Sequence, residues 1–170
     1  MTMEELIEAY ADYCYRVAFI YVKDCGAAEE IVQDVLLAHY RNEHAFEQRA
    51  SLRTYLAKIT VHKSLDYLRK KKGKWRFFFT KEKEVDIGDS TINPANLYGR
   101  KERNGEVVDA VLQLDEKYRA IILFHYFEEY TLAEISEILS IPLNTVKTRH
   151  QRAKQQLKQS LKEVYFDEEF

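Results

Sequence analysis

Apolar residues recur along this chain at helical spacing. From Met3 to about Tyr21, the residues Leu6, Ile7, Tyr10, Tyr13, Cys14, Val17 and Ala18 fall at three- and four-residue steps, with Glu4, Glu5 and Glu8 in the first turns. An amphipathic helix is predicted there. Asp24 to Gly26 marks a turn, and a second helix follows over Ala27 to Arg41, burying Ile31, Val35, Leu36 and Ala38 while Glu30, Gln33 and Asp34 face outward. His44 to Ser51 lacks periodicity and reads as a loop, with Ser51 placed to cap the next helix. That third helix, Leu52 to about Lys72, has Leu52, Tyr55, Leu56, Ile59, Leu65 and Leu68 as its apolar stripe and Arg53, Lys58, His62, Lys63, Arg69 and Lys70 off it.

The periodicity then stops and later resumes. Thr80 to Gly105 is charged, carries Gly88, Pro94, Gly99 and Gly105, and holds no sustained apolar stripe, which predicts a flexible linker. Beyond it Val107, Val108, Val111 and Leu112 define a helix. Asp115 is placed to cap another, made strongly apolar by Tyr118, Ile121, Ile122 and Phe124 to Phe127. Leu132, Ile135, Ile138 and Leu139 form the buried stripe of a short helix, with Glu134 and Glu137 toward water. Ser140, Ile141 and Pro142 interrupt it. Proline is tolerated at a helix start, so a last helix begins near Pro142 to Asn144. The expected fold is all-α: two small helical domains, 1–79 and 106–165, joined by a linker at 80–105, the second domain containing a helix-turn-helix.

Charge sharpens this picture. The formal net charge of −2 gives no overall basic excess. Its distribution is uneven, with eight acids against two bases over Met1 to Tyr40 and eleven bases against two acids over Leu52 to Lys83. Leu143 to Lys162 contains no acid at all. Two basic surfaces and one acidic surface are expected of a chain that meets nucleic acid and protein on different faces. An apolar fraction of 46% suffices for ordinary cores, and Cys14 and Cys25 are too few for a disulfide framework and match no common zinc spacing. Without a leader or a long apolar run the chain is expected in the cytoplasm.

The last helix carries the strongest chemical signal. Val146, Ala153 and Leu157 can face inward, leaving Asn144, Thr145, Lys147, Thr148, Arg149, Gln151 and Arg152 outward. Arginine can grip guanine through two hydrogen bonds, asparagine and glutamine can do the same for adenine, and lysine and threonine hold phosphate oxygens. A merely solvated basic face is the competing reading; the preceding turn and the lack of acids favour DNA. Beside the basic run Arg69 to Lys74, Trp75 to Phe79 (WRFFF) could stack unpaired bases or pack on the third helix. No phosphate-cradling glycine loop, HExxH or nucleophile with a recognisable partner occurs, so neither catalysis nor a cofactor nor a metal is expected.

Two stretches resemble a known family. AEEIVQDVLLAHYR at Ala28 to Arg41 with RASLRTYLAKITVHKSLDYLRKKK at Arg49 to Lys72, and LDEKYRAIILFHYFEEYTLAEISEILSIPLNTVKTRHQRAKQQL at Leu114 to Leu157, are similar to regions 2 and 4 of the extracytoplasmic-function (ECF) sigma factors of bacterial RNA polymerase. The resemblance implies that Glu30, Gln33 and Asp34 bind core RNA polymerase. It implies that Lys58, His62, Lys63, Asp66 and Arg69, with a base-capturing loop at Phe46 to Ala50, engage and open the minus-10 element of promoter DNA. The seven outward residues of the last helix would read the minus-35 element as duplex. An anti-sigma factor, often membrane-anchored in the family, is implied as a further partner. The chain departs from the usual pattern at Tyr55, where tryptophan is common, at His62, where asparagine is common, and at Ser140 and Asn144, where glycine is frequent.

Two rival functions predict different behaviour. A self-sufficient helix-turn-helix regulator would bind an operator tightly as a symmetric dimer. An RNA-binding adaptor would prefer structured RNA over promoter DNA.

Overall fold

The computed structural model describes residues 1–42, 51–78 and 102–162, which are helical and contain no strand among them. The chain divides into two compact units, Met1–Thr91 and Ile92–Phe170. The expected loop at Phe46 to Ala50, nearly all of the linker, the side chains of Trp75 to Phe79 and the acidic tail lie outside the described residues.

The first unit is a three-helix body. α1 (Met3–Val22) opens with a reciprocal capping box in which Thr2 Oγ1 accepts from the Glu5 amide at 3.1 Å and Glu5 Oε2 accepts from the Thr2 amide at 2.9 Å. It ends at Lys23, whose φ of 53° reverses the chain. Asp24 at once caps α2 (Cys25–Arg41), its Oδ1 accepting from the Ala27 amide at 3.0 Å. Ser51 caps α3 (Leu52–Phe78) as expected, its hydroxyl accepting from the Thr54 amide at 3.2 Å. The three helices pack pairwise through fully buried small residues, Cys14 and Ala18 on α1, Ala28 on α2 and Ala57 on α3, which let the helix axes approach closely. Val17, Val35, Leu56 and Val61 fill the space between them.

Two expectations for this core are corrected. Ile7 is exposed rather than buried, because at this end of α1 the enclosed line runs through Leu6, its neighbour about 100° around the helix. On α3, Leu52, Tyr55, Ile59, Leu65 and Leu68 are only half-buried, and the deepest line is Leu56, Ala57, Thr60, Val61 and Ser64. The two hydroxyls are satisfied within the helix: Thr60 donates to the Leu56 carbonyl and Ser64 to the Thr60 carbonyl, each at 2.7 Å.

Among the described residues the second unit packs four α-helices. α4 (Glu102–Leu112) starts earlier than the sequence pattern indicated and runs through Gly105, which costs a helix about 1 kcal/mol but does not end it. α5 (Glu116–Ile122) follows Asp115, whose backbone is extended as at an N-cap although its side chain makes no capping bond. Buried Arg119 ties α5 to the turn that precedes it, its guanidinium donating to the Leu114 carbonyl. α5 then widens into a π-helical turn at Leu123–Phe127, where the Glu128 amide reaches back five residues to the Leu123 carbonyl at 2.9 Å. Across the wider turn Leu123 and Phe124 are buried while Tyr126 and Phe127, read as part of a strongly apolar helix, are exposed.

α6 (Leu132–Leu139) and α7 (Leu143–Lys162) complete the unit and form the expected helix-turn-helix. Thr131 and Glu134 make a second capping box, with both bonds at 3.1 Å. Ser140 takes the left-handed conformation, φ 54°, and Ser136 ties the turn on both sides, its carbonyl accepting from the Ile141 amide at 3.2 Å and its hydroxyl donating to the Ile141 carbonyl at 2.6 Å. The chain re-enters a helix at once, the Val146 amide bonding to the Pro142 carbonyl at 3.1 Å. α7 packs on α4, α5 and α6 through Val146, Ala153 and Leu157, all fully buried, and Leu161.

Candidate nucleic-acid interface

α7 is a 20-residue helix anchored along one line and free of carboxylates along all the others. With Val146, Ala153 and Leu157 directed inward, helical geometry puts Asn144, Thr148 and Gln151 on the opposite ridge, flanked by Lys147 on one side and Arg152 on the other. All five are exposed. Thr145 and Arg149 are half-buried and turned toward α5. There they line a groove of about 380 Å³ together with Lys117, Tyr118, Asn144, Thr148 and Arg152. The seven residues expected to contact duplex DNA are thus brought together on one helix, five of them exposed and two half-buried, and all but Lys147 and Gln151 line the groove. Lys117, a cation from α5, joins them; its sequence signal was hidden next to Glu116 in a segment read as core.

The other flank of α7 is braced by the π-helical turn. The Tyr126 hydroxyl lies 2.9 Å from His150 Nε2, and the His125 and His150 rings meet edge to face at 5.0 Å. His125 is itself held by the Tyr130 carbonyl, 2.8 Å from its Nδ1. Burial holds the His150 imidazole below its ordinary range, assisted by His125 and Lys154. A ring kept neutral beside Arg149 and Gln151 acts as a hydrogen-bonding strut.

α3 presents a second, less uniform ridge. Lys58, His62, Asp66 and Arg69 follow one another at helical spacing, Lys58 half-buried and the other three exposed. Lys63 is one residue after His62, roughly 100° around the helix, and half-buried on the flank. Asp66 and Arg69 form an exposed ion pair at 3.0 Å, so the ridge carries a neutralised step. At the α1 side of this helix, the Arg53 guanidinium sits 4.7 Å from the Tyr13 ring centroid, and the Tyr55 ring meets His39 edge to face at 5.7 Å. Tyr55 is therefore engaged with α2.

On α2, Glu30, Gln33 and Asp34 are exposed along one stripe, as their pattern indicated. The stripe continues into Leu37 and Tyr40, 41% and 46% exposed, which the sequence reading did not single out. Their signal was an apolar residue on the polar phase of an amphipathic helix. Carboxylates and an amide followed by bare apolar groups make a face suited to a basic, amphipathic protein surface. Among the described residues no cluster of three or more histidine, cysteine or acidic side chains could hold a metal, and no helix is long and apolar enough to cross a membrane.

Comparison with known proteins shows the family of the chain. Residues 6–74 match the family Sigma-70 region 2, and residues 104–157 match Sigma-70, region 4. The chain is 31% identical to the RNA polymerase sigma factor SigV of Bacillus subtilis (strain 168), over 82% of this chain and 78% of the relative. It is 27% identical to the ECF RNA polymerase sigma factor SigW of the same organism, over 94% of this chain and 89% of the relative. In three dimensions it is similar to the sigma factor RpoE of Bartonella quintana, solved in complex with the anti-sigma factor NepR, with a TM-score of 0.77, 20% identity, and coverage of 95% of this chain and 98% of that one.

Proposed function

The chain belongs to the RNA polymerase sigma factors, in their extracytoplasmic-function group, and on that premise we propose how its surfaces divide the work of promoter-specific initiation. Sigma factors catalyse no reaction of their own, so binding geometry carries the whole function. The matched families also decide between the rival readings of the charge pattern, in favour of a polymerase subunit over a self-sufficient regulator.

The α2 stripe of Glu30, Gln33 and Asp34, extended by Leu37 and Tyr40, docks on core RNA polymerase. The α3 ridge of Lys58, His62, Asp66 and Arg69, with Lys63 on its flank, meets the minus-10 element: cations follow the phosphates, and Asp66 aims the Arg69 guanidinium. Loss of base stacking on strand opening must be offset by such contacts. In the second unit, Asn144, Thr145, Lys147, Thr148, Arg149, Gln151 and Arg152 read the minus-35 element in the major groove. The domains follow as a region 2 domain over 1–79, a linker over 80–105 and a region 4 domain over 106–165. One observation carries this division: α7 is acid-free and exposes its amides and cations as a ridge directly behind a fully buried apolar anchor.

The protein works in the cytoplasm beside the polymerase. An anti-sigma factor that covers these faces is the expected regulator, in line with the RpoE complex, and a membrane-anchored one would hold the protein at the membrane until released. The test is transcription in vitro with core RNA polymerase on fragmented genomic DNA, followed by sequencing of the transcripts. Discrete start sites sharing two upstream elements are expected; no stimulation on any template would reject the function.

A further inference from the structure

The outer ridge of α7 continues beyond the residues that read DNA. Gln155 and Lys158 follow Gln151 in the same phase, with Lys154 on the flank, and these four residues line a shallow depression of about 310 Å³. Gln151, Gln155 and Lys158 are exposed and Lys154 is half-buried. A reading helix meets base edges with its N-terminal residues, which leaves Lys154, Gln155 and Lys158 outside the set that reads the minus-35 element. Directly after α7 the composition inverts. A helix of 20 residues without an acid is followed by Glu-Val-Tyr-Phe-Asp-Glu-Glu-Phe over 163–170, in which four of eight residues are acidic.

We propose that residues 163–170 fold back on this stripe, with Asp167, Glu168 and Glu169 pairing with Lys154 and Lys158, and so compete with duplex DNA for α7. The competition rests on the reading of α7 given above. The reach suffices: Lys158 and Lys154 lie about 7.5 and 13.5 Å back along the helix axis from position 163, and the four to six residues leading from Glu163 to Asp167–Glu169 span up to about 13 to 20 Å. Tyr165 and Phe166 then lie against the aliphatic stems of the lysines. Carboxylates held beside Gln151 repel incoming phosphates. Exposed ion pairs are individually weak, so the segment restrains α7 without locking it and yields to a matching promoter.

Carbodiimide cross-linking, which joins a lysine amine only to a carboxylate in contact with it, tests the docking in the full chain. Without DNA it should link Lys154 or Lys158 to Asp167, Glu168 or Glu169 within one molecule, read by peptide mass spectrometry. Excess duplex carrying an upstream element found by transcript mapping should suppress the link. Asp167→Asn, Glu168→Gln and Glu169→Gln combined should tighten binding to that duplex by about 3- to 10-fold at about 50 mM salt and by less at about 200 mM, since surface pairs are weak and screened. That gain should disappear in a background carrying Lys154→Gln and Lys158→Gln. No link, or a link found only between two copies of the chain, overturns the docking. A gain that persists without the two lysines overturns the competition, because it then reflects charge acting at a distance. If no variant binds the duplex, the reading of α7 fails and the competition with it, while the link still decides the docking.

Discussion

α3 and α7 are both long, basic helices proposed to touch promoter DNA, yet they are built differently. α7 separates its functions cleanly: Val146, Ala153 and Leu157 are fully buried, and the outer ridge carries amides, a hydroxyl and cations without a single acid. α3 buries Thr60 and Ser64 beside Leu56 and Val61, and interrupts its exposed cations with Asp66. A helix that reads intact duplex must hold a fixed set of donors and acceptors against base edges, and a large apolar anchor supplies that rigidity. A helix that meets opened strands follows phosphates and single bases, for which a mixed ridge suffices. The contrast teaches that anchoring and reading are coupled in the second unit and more loosely joined in the first.

The largest expected effect strikes that anchor. Leu157→Ala removes a fully buried side chain and should destabilise the second unit by about 2 to 5 kcal/mol, measured by urea unfolding, with loss of minus-35 recognition. A loss of under about 1 kcal/mol would mean that α7 is not fixed by this line. Next in size, Gln151→Ala, on the exposed ridge, should cost about 1 to 3 kcal/mol of promoter recognition and relax preference at one minus-35 base pair, read by competition among promoter variants. Uniform weakening across all variants would move Gln151 from base to backbone.

A smaller effect works in the opposite direction. Ser140 adopts a left-handed conformation that costs a residue with a Cβ about 1 to 2 kcal/mol, so Ser140→Gly should stabilise the second unit by up to about 1 kcal/mol once glycine's looser unfolded chain is counted. A fall in melting temperature would show that the serine stabilises the turn. The smallest effect is a pH dependence. Because His150 in the folded unit protonates less readily than its ordinary value of 6.5, the unfolded chain takes up the proton first. Its contribution to stability is complete above that value and is lost as pH falls from it through the lower value of the folded unit, and His150→Gln should flatten this dependence in thermal melts across about pH 5 to 8.

How much of this was legible in the sequence depended on whether polarity tracked burial. It did in α6 and α7, where the helix-turn-helix, its turn at Ser140 to Pro142 and all three inward residues of α7 were expected. On α2 it did at Glu30, Gln33 and Asp34, which are exposed, and did not at Leu37 and Tyr40, which are exposed although apolar. It did not on α3, because Thr60 and Ser64 satisfy their hydroxyls on the preceding turn and so sit in the core while reading as polar. Nor did it at Tyr126 and Phe127, which read as part of an apolar helix but are exposed, in the π-helical turn that ends it. Lys117 could not be found from its own segment, because the groove it lines is formed with residues of α7.

Separate surfaces for polymerase and for duplex can be tested in one parallel measurement, the affinity of two variants for core RNA polymerase and for the minus-35 duplex. Gln33→Ala combined with Asp34→Ala should lose polymerase affinity and keep duplex binding, and Arg149→Ala should do the reverse. Either variant losing both affinities while remaining folded would contradict the division of labour between α2 and α7.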